Sequence, residues 1–356
     1  MLHGARILVA PLDWGLGHAA RCVPVIKALQ AHGAVPILGA DGGPMALLRQ
    51  EFPALEHVRI PGAVVRYGRG SSQLWSLTRQ FPAMIRSVRA EHALFQRLKQ
   101  QLQLDAVISD QRFGLRSDDL PSVLITHQVF PFTPIAQGAL RKFNGWQISR
   151  FDRCWVMDEA EAPGLAGDLS HGAQLPTNAH YIGAVSRFDP QLEAPERKGY
   201  RIVAVISGPE PQRTMLEGSL LEQLQAIDGN HLLVQGLPAK PGDRQQKNVR
   251  IQSHLGGRDL QEALLGAELI ISRSGYTTLM DLAAIGRSAL IIPTPGQPEQ
   301  EYLGALHART GRFLVQEQSA LNVADALQQA LPEQRPSGNR SALEQALKDL
   351  AALMGL

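Results

Sequence analysis

The sequence predicts an α/β protein built as two doubly wound parallel-sheet domains facing a central cleft. Three observations carry this prediction. Short β-branched runs alternate with helical periodicity along the whole chain. The runs are nearly continuous in apolar residues, as strands covered on both faces of a parallel sheet must be. The alternation stops at Arg187-Phe-Asp-Pro190 through Pro195-Glu-Arg-Lys and restarts with Tyr200-Arg-Ile-Val-Ala-Val-Ile206. A chain of 356 residues has room for two such domains.

Taken in order, the first half offers strands at 6–10, 35–39, 105–109, 122–126 and 153–157. The second half offers 201–206, 231–235, 249–252, 268–272, 288–292 and 312–316. Amphipathic helices fill the intervals; in 19–31, Cys22, Val25, Ile26 and Leu29 recur at helical spacing. The expected organisation is a first domain at 1–186, a linker at 187–199 and a second domain at 200–330. The break Pro332-Glu-Gln-Arg-Pro336-Ser-Gly then sets off a helical extension at 331–356, with its helix over about 340–354. In Rossmann-like sheets of this kind, ligands bind beyond the carboxyl ends of the strands. The loops at those ends are therefore where function is sought.

Composition narrows the class. A formal net charge of +2 is close to balance, so bulk electrostatics favours neither nucleic acid nor membrane. Two cysteines, Cys22 and Cys154, are too few for a disulfide framework or a cysteine-based metal site and fit a reducing cytoplasm. The start of the chain lacks the pattern of a secretion signal, and no run approaches the ~18–20 apolar residues that span a bilayer. The expectation is a cytoplasmic protein, with the inner face of the membrane as an option.

The segment Glu268-Leu-Ile-Ile-Ser272-Arg273-Ser274-Gly275 through Asp281 to Gly286 has the form buried strand, small-residue turn, helix, glycine stop. Its turn offers free backbone N–H groups and the positive end of a helix dipole beside Arg273, which suits a nucleotide diphosphate. Asp281 lies one to two turns into the helix, where its carboxylate can meet ribose hydroxyls. An ordinary crossover with a capped helix would look similar. A second anion-binding loop is expected at Ser207-Gly208-Pro209 through Arg213: glycine permits close backbone approach, and arginine grips phosphate with two hydrogen bonds. Further on, Gln297, Glu299, Gln300 and Glu301 sit at another strand end, as sugar-binding groups or as a solvated loop.

At the N-terminus, Gly15, Gly17 and Ala20 satisfy a loose dinucleotide fingerprint, with Asp41 at the distance of a ribose-binding acid. His18 in that loop points elsewhere: an imidazole facing the cleft accepts a proton from a hydroxyl at neutral pH. Capping of the following helix is the plain alternative. A partner carboxylate is expected at Asp110, which ends a buried strand on the same rim, with Asp13 as its rival. Thr126-His127-Gln128 ends the next strand and suits either acceptor positioning or a closed loop network. No cluster of histidines and carboxylates has metal-ligand spacing, so no metal and no cofactor are expected.

The stretch from Ser272-Arg273-Ser274-Gly275 through Asp281, Ala283-Ala284-Ile-Gly286 and on to Pro293, Gln300 and Ala305 resembles the GT-B glycosyltransferases. The likeness is to the family containing the peptidoglycan N-acetylglucosaminyltransferase that makes lipid II. The loop Gly15-Leu-Gly17-His18 resembles that family's acceptor-side loop. The resemblance implies that His18 is the general base and that Gly15, Gly17, His127 and Gln128 face the acceptor. It implies that Gly208, Arg213, Arg273, Ser274, Gly275, Asp281, Gln300 and Glu301 face a UDP-sugar donor. Three departures stand out. Asp281 replaces a ribose-binding glutamate, Glu301 replaces the second of two sugar-binding glutamines, and the histidine segment at 126–128 is shortened. Uracil recognition near Leu255 uses backbone in the family, so no side chain marks it here.

The implied reaction is transfer of a hexose or N-acetylhexosamine, with inversion, to a hydroxyl acceptor, a lipid-linked one being an option. Residues 71–100 mix Leu74, Trp75, Phe81 and Ile85 with Arg79, Arg86, Arg89 and Lys99. They fit a surface helix touching anionic lipid, and equally a helix packed on the sheet with a solvated basic face. Three other classes fit the same frame: a nucleotide-sugar 2-epimerase, a dinucleotide oxidoreductase and a non-catalytic nucleotide-sugar-binding subunit.

Overall fold

Fourteen strands, among the described residues, divide into two seven-stranded sheets. The computed structural model describes residues 1–62, 73–132, 137–195, 199–332, 334–338 and 340–356, without the side chains of 73–85 and 340. The first sheet holds β1 (Arg6–Pro11), β2 (Val35–Ala40), β3 (Glu56–Arg59), β4 (Ala106–Asp110), β5 (Ser122–Thr126), β6 (Arg153–Val156) and β7 (Ala179–Tyr181). Its order, β3-β2-β1-β4-β5-β6-β7, reverses direction at β1 beside β4, and every pairing is parallel. That reversal is the crevice in which doubly wound sheets bind ligands.

The second sheet repeats the plan. It contains β8 (Ile202–Val205), β9 (His231–Val234), β10 (Asp243–Gln246), β11 (Val249–Gln252), β12 (Leu269–Ser272), β13 (Leu290–Ile291) and β14 (Leu314–Val315). The order is β10-β11-β9-β8-β12-β13-β14, parallel except for the β10–β11 hairpin. Its switch lies between β8 and β12, so the loops after these strands share one rim.

Each strand expected from the sequence is present. The sequence reading missed β3, β7 and β10, and all three are edge strands. An edge strand lacks a neighbour on one side, so polar residues are tolerated there and the apolar signature fades. β10, Asp-Arg-Gln-Gln, is exposed at all four positions.

Apolar burial joins the two units. One core cluster contains Val9, Val23 and Ile125 of the first domain together with Leu279, Met280 and Leu303 of the second. The closing helix, Arg340–Leu353, returns to the first domain. It places Leu343, Leu347 and Leu350 in that cluster, and its Glu344 pairs with His32 at 2.9 Å.

Of the basic helix at 71–100, residues 71–72 and the side chains of 73–85 lie outside the described residues. The described part packs on the sheet: Phe95 and Leu98 are buried beside Leu8 and Ile37, while Arg86, Arg89 and Arg97 are exposed. Within the linker segment 187–199, residues 196–198 also lie outside the described residues. Among the described residues no helix is long and apolar enough to cross a membrane.

Candidate active site

On the first domain's rim, β1 ends at Pro11 and the chain turns through Gly15, whose φ of +129° is a conformation glycine adopts without strain. The helix Leu16–Ala31 starts at once, with no side-chain cap. His18 is therefore in the first turn and does not cap it. Its Nδ1 lies 2.9 Å from Oδ2 of Asp110, the last residue of β4. Asp110 is wholly buried. Burial alone would raise its pKa, but Arg21 and His18 outweigh that and hold the carboxyl down at about 2. Asp13, the rival partner, instead receives Arg112 at 3.5 Å and the Asp41 backbone N–H at 3.3 Å. Asp41 caps the helix Gly42–Glu51 and pairs with Arg59 at 3.0 Å.

The charge that holds Asp110 was not among the expected site residues. Arg21, only 2% exposed, donates from Nε to Asp110 Oδ2 at 2.9 Å and makes a very short contact from Nη2 to Oδ1. Its Nη2 also lies 2.8 Å from His18 Nδ1, and its Nη1 lies 2.7 Å from Nδ1 of His127. His127 follows β5, is buried, and stacks at 4.2 Å on the ring of Tyr276 from the second domain. Its Nε2 meets Glu299 Oε1 at 2.8 Å, again across the cleft. Burial lowers the His127 pKa by more than Glu299 raises it. Burial also opposes the Glu299 charge, but His127 and Arg21 outweigh it and hold that carboxyl below its usual range. Gln128 approaches the same His127 nitrogen at 3.3 Å, so both lie in a closed network and not on an open acceptor surface.

Facing this rim is the turn after β12. Ser274 is buried and donates to the Gln300 carbonyl at 2.7 Å. Gly275 precedes the helix Tyr276–Ala284, which has neither a side-chain cap nor an acidic residue in its first turn. A Cβ at Gly275 would meet nothing within 4 Å, so this helix start opens onto free space. Thr277 Oγ1 donates to the Gly17 carbonyl at 3.0 Å, and the Tyr276 hydroxyl donates to Met157 O at 2.5 Å. The two loops that the sequence singled out are thus in contact.

Other expected donor residues are placed differently. Arg273 is buried, and its guanidinium donates to carbonyls of Ile292, Pro293 and Gln212 at 3.3, 3.3 and 3.0 Å. Burial without a carboxylate pulls it down to about 10, and it stays charged at neutral pH. Arg213 binds Glu210 and Glu217, each at 2.8 Å. Its partial burial works against the charge, but the two carboxylates prevail and raise its pKa. Both arginines, expected at the diphosphate, are thus held within their own domain. Asp281 accepts from Ser186 Oγ at 2.6 Å and Arg187 Nε at 3.2 Å, so it anchors the chain leaving the first domain. Burial raises its pKa in spite of that pair. Gln300 Oε1 accepts from Thr294 N at 3.0 Å and Glu301 Oε1 from Gly296 N at 2.7 Å, bracing the loop after β13. Gly208, at φ +123°, faces that loop, with Thr294 Oγ1 4.0 Å from where its Cβ would stand. That hydroxyl is buried and has no hydrogen-bond partner among the described residues.

Two seven-stranded doubly wound sheets with a cleft between their switch points, closed by a C-terminal helix returning to the first domain, define the GT-B architecture. The whole chain superposes on the glycosyltransferase SnogD of Streptomyces nogalater with a TM-score of 0.59, at 18% identity over 99% of this chain and 95% of that one. A Listeria monocytogenes structure assigned as a UDP-N-acetylglucosamine 2-epimerase fits equally, at 0.59 and 12% identity over 98% and 96%. Residues 241–353 match the model of the glycosyltransferase family 28 C-terminal domain. A Bradyrhizobium diazoefficiens protein, UDP-N-acetylglucosamine–N-acetylmuramyl-(pentapeptide) pyrophosphoryl-undecaprenol N-acetylglucosamine transferase, is 31% identical over 116 residues. That match spans 30% of this chain and 32%, about a third, of the relative.

Proposed function

We propose that this protein transfers a sugar from a UDP-linked donor to an acceptor hydroxyl, with inversion at the anomeric carbon. The observation that carries the reading is the meeting of Gly17 and Thr277 at 3.0 Å, which sets the His18–Asp110 pair against the uncapped start of the helix Tyr276–Ala284. With Nδ1–H directed at Asp110, the Nε2 lone pair of His18 takes the proton of the acceptor hydroxyl. The acceptor oxygen bonds to the anomeric carbon as the bond from that carbon to the diphosphate oxygen breaks, and UDP departs with its electron pair. A single displacement inverts the centre. The N–H groups at the helix start meet the charge growing on the diphosphate. No metal is invoked, because these groups supply the positive potential.

The donor lies on the second domain, where Ser274, Gly275 and Gly208 line the rim, and the acceptor on the first. The curated relative is named for a pyrophosphoryl-undecaprenol acceptor, and this supports a lipid-linked acceptor for this chain as well.

Calorimetric titration with UDP, ADP, GDP and NAD, beside turnover of UDP-N-acetylglucosamine in EDTA, tests the proposal. UDP is expected to bind in preference to the others, and His18→Ala to lose turnover by roughly 10²–10⁴-fold while UDP affinity stays within about threefold. Preferential NAD binding, or undiminished turnover in His18→Ala, would overturn it. Exchange of the sugar C2 proton for deuterium without transfer would point to a 2-epimerase.

A further inference from the structure

We infer that Arg21 is a positioning residue: it sets the tautomers of both imidazoles at the cleft and ties the base to the closed arrangement of the two domains through Glu299. The inference rests on the reading of His18 as base and adds to it a residue that this reading does not require.

The argument starts from what a guanidinium is able to do. It carries five N–H donors and accepts nothing. Nη1 of Arg21 lies 2.7 Å from Nδ1 of His127, so that nitrogen must present its lone pair. The proton of neutral His127 is then on Nε2, which donates to Glu299 Oε1 at 2.8 Å, so the Gln128 amide nitrogen 3.3 Å away is a neighbour of that N–H and not its hydrogen-bond donor. Glu299 belongs to the helix Pro298–Arg309 of the second domain. The domain-spanning hydrogen bond is therefore held in this sense from both ends, by Arg21 behind the ring and by Glu299 in front of it. In the opposite tautomer, the His127 Nδ1–H would point at a cation and a bare Nε2 at a carboxylate, both repulsive. Tyr276, stacked on the ring at 4.2 Å and within 3° of parallel, covers one face of the imidazole and opposes its turning away.

On its other side, Arg21 governs His18. Nδ1 of His18 is within reach of two groups, Asp110 Oδ2 at 2.9 Å and Arg21 Nη2 at 2.8 Å. If the proton is on Nδ1, it goes to the carboxylate and Nε2 is free to act as base. If Nδ1 accepts from Arg21, the proton is on Nε2 and the base is disabled. Arg21 decides between them by keeping Asp110 ionised and by holding both of its oxygens. A buried anion next to Nδ1 draws the proton there, and Nη2, whose hydrogens are fixed in the guanidinium plane, keeps its donor bond to Oδ1. One side chain thus connects the base, its carboxylate and the contact made across the cleft by the donor domain. Glu299 directly precedes Gln300 and Glu301, so any donor-driven movement of this segment is transmitted to Arg21 through His127.

The test reads tautomers directly. Long-range ¹H–¹⁵N correlation spectra of the ¹⁵N-labelled full chain at neutral pH are expected to show His127 as the Nε2–H form and His18 as the Nδ1–H form. In Arg21→Met the His127 resonance should lose its single-tautomer pattern. Turnover of UDP-N-acetylglucosamine should fall at least about a hundredfold with UDP affinity held within about threefold. Arg21→Lys keeps the charge without the fork and should fall between the two. Glu299→Gln, whose amide oxygen still accepts from Nε2–H, should restore most of the turnover that Glu299→Ala loses. The inference is overturned if His127 in the unmodified protein is the Nδ1–H form, a result independent of whether any variant folds. It is also overturned if Arg21→Met retains both tautomers and its turnover. Undiminished turnover in His18→Gln instead sinks the base assignment, and the spectra still decide the role of Arg21 at His127.

Discussion

The two rims of the cleft are built on opposite plans. On the first domain, side chains converge: His18, Asp110 and His127 each lie within hydrogen-bond distance of Arg21, and all but His18 are buried. On the second domain, the charged side chains turn inward, Arg273 onto carbonyls and Arg213 onto Glu210 and Glu217, and what remains open is backbone. The difference follows from the chemistry proposed for each side. A base needs a fixed proton geometry, which only a packed side-chain network provides. A diphosphate needs N–H groups in a shell that a bulky side chain would block.

The largest effect is expected where the packed plan is broken. Asp110→Asn removes the anion facing Arg21 and leaves a guanidinium buried without a charged partner. Breaking a pair of this kind from one side destabilises by about 3 kcal/mol, to be measured as the shift of the urea midpoint. Turnover should fall with it, by roughly 10²-fold or more. A variant as stable as the parent would mean that water already reaches Arg21, and the contrast between the rims would dissolve.

Acid should erode the same rim. The Asp110 carboxyl titrates at about 2 in the fold against 3.8 when free. Its ionised form therefore contributes stability that is fully present above pH about 4 and is lost as pH falls through about 2. A shift of that size corresponds to about 2 kcal/mol. Urea unfolding at steps of pH between 6 and 2 should show this slope in the parent and not in Asp110→Asn. Parallel slopes in the two proteins would place the acid sensitivity elsewhere.

On the open rim, substitution should separate binding from stability. Gly275 has ordinary extended backbone angles, and its Cβ position is empty. Gly275→Ala should therefore leave the melting temperature within about 1 °C of the parent, since an unstrained surface change shifts stability by under about 0.5 kcal/mol. UDP affinity should drop by about tenfold, because the added methyl occupies the space in front of the helix start. Unchanged affinity would move the diphosphate away from this turn.

How much of this was legible in the sequence follows from the same physics. Buried strands announce themselves by apolar runs, so β1, β4, β5, β8 and β12 were readable, and with them the strand-end positions of His18, Asp110 and Gly275. The edge strands β3, β7 and β10 carry no such run and were missed. Arg21 was missed for a related reason. It sits among Ala19, Ala20, Cys22 and Val23, all buried, and periodicity alone does not distinguish a buried arginine from a solvated one. The available clue was its spacing: three residues after His18 puts it on the same helix face. Glu299 read as a sugar-binding group or as part of a solvated loop, and not as a partner of His127, because His127 is 172 residues away and no local pattern records a contact across two domains. Arg213 and Arg273 were placed by residue type, and type says nothing about which acceptor a guanidinium finds.

Arg213 gives the smallest expected effect and the finest test of the contrast. Its three nitrogens are taken by Glu210, Glu217 and Thr214. To reach a diphosphate it would have to leave two carboxylates, one of which, Glu217, is only 13% exposed and also accepts from Gln235 and Arg244. Exchanging one anionic partner for another yields little net attraction when the first pair is already formed and partly desolvated. Arg213→Gln should therefore weaken UDP binding by less than about threefold, below the loss expected for Gly275→Ala, in calorimetric titration at fixed salt. A loss of tenfold or more would mean that the guanidinium swings out to the ligand. The second rim would then use side chains as the first does, and the division between a packed base and an open backbone cradle would no longer hold.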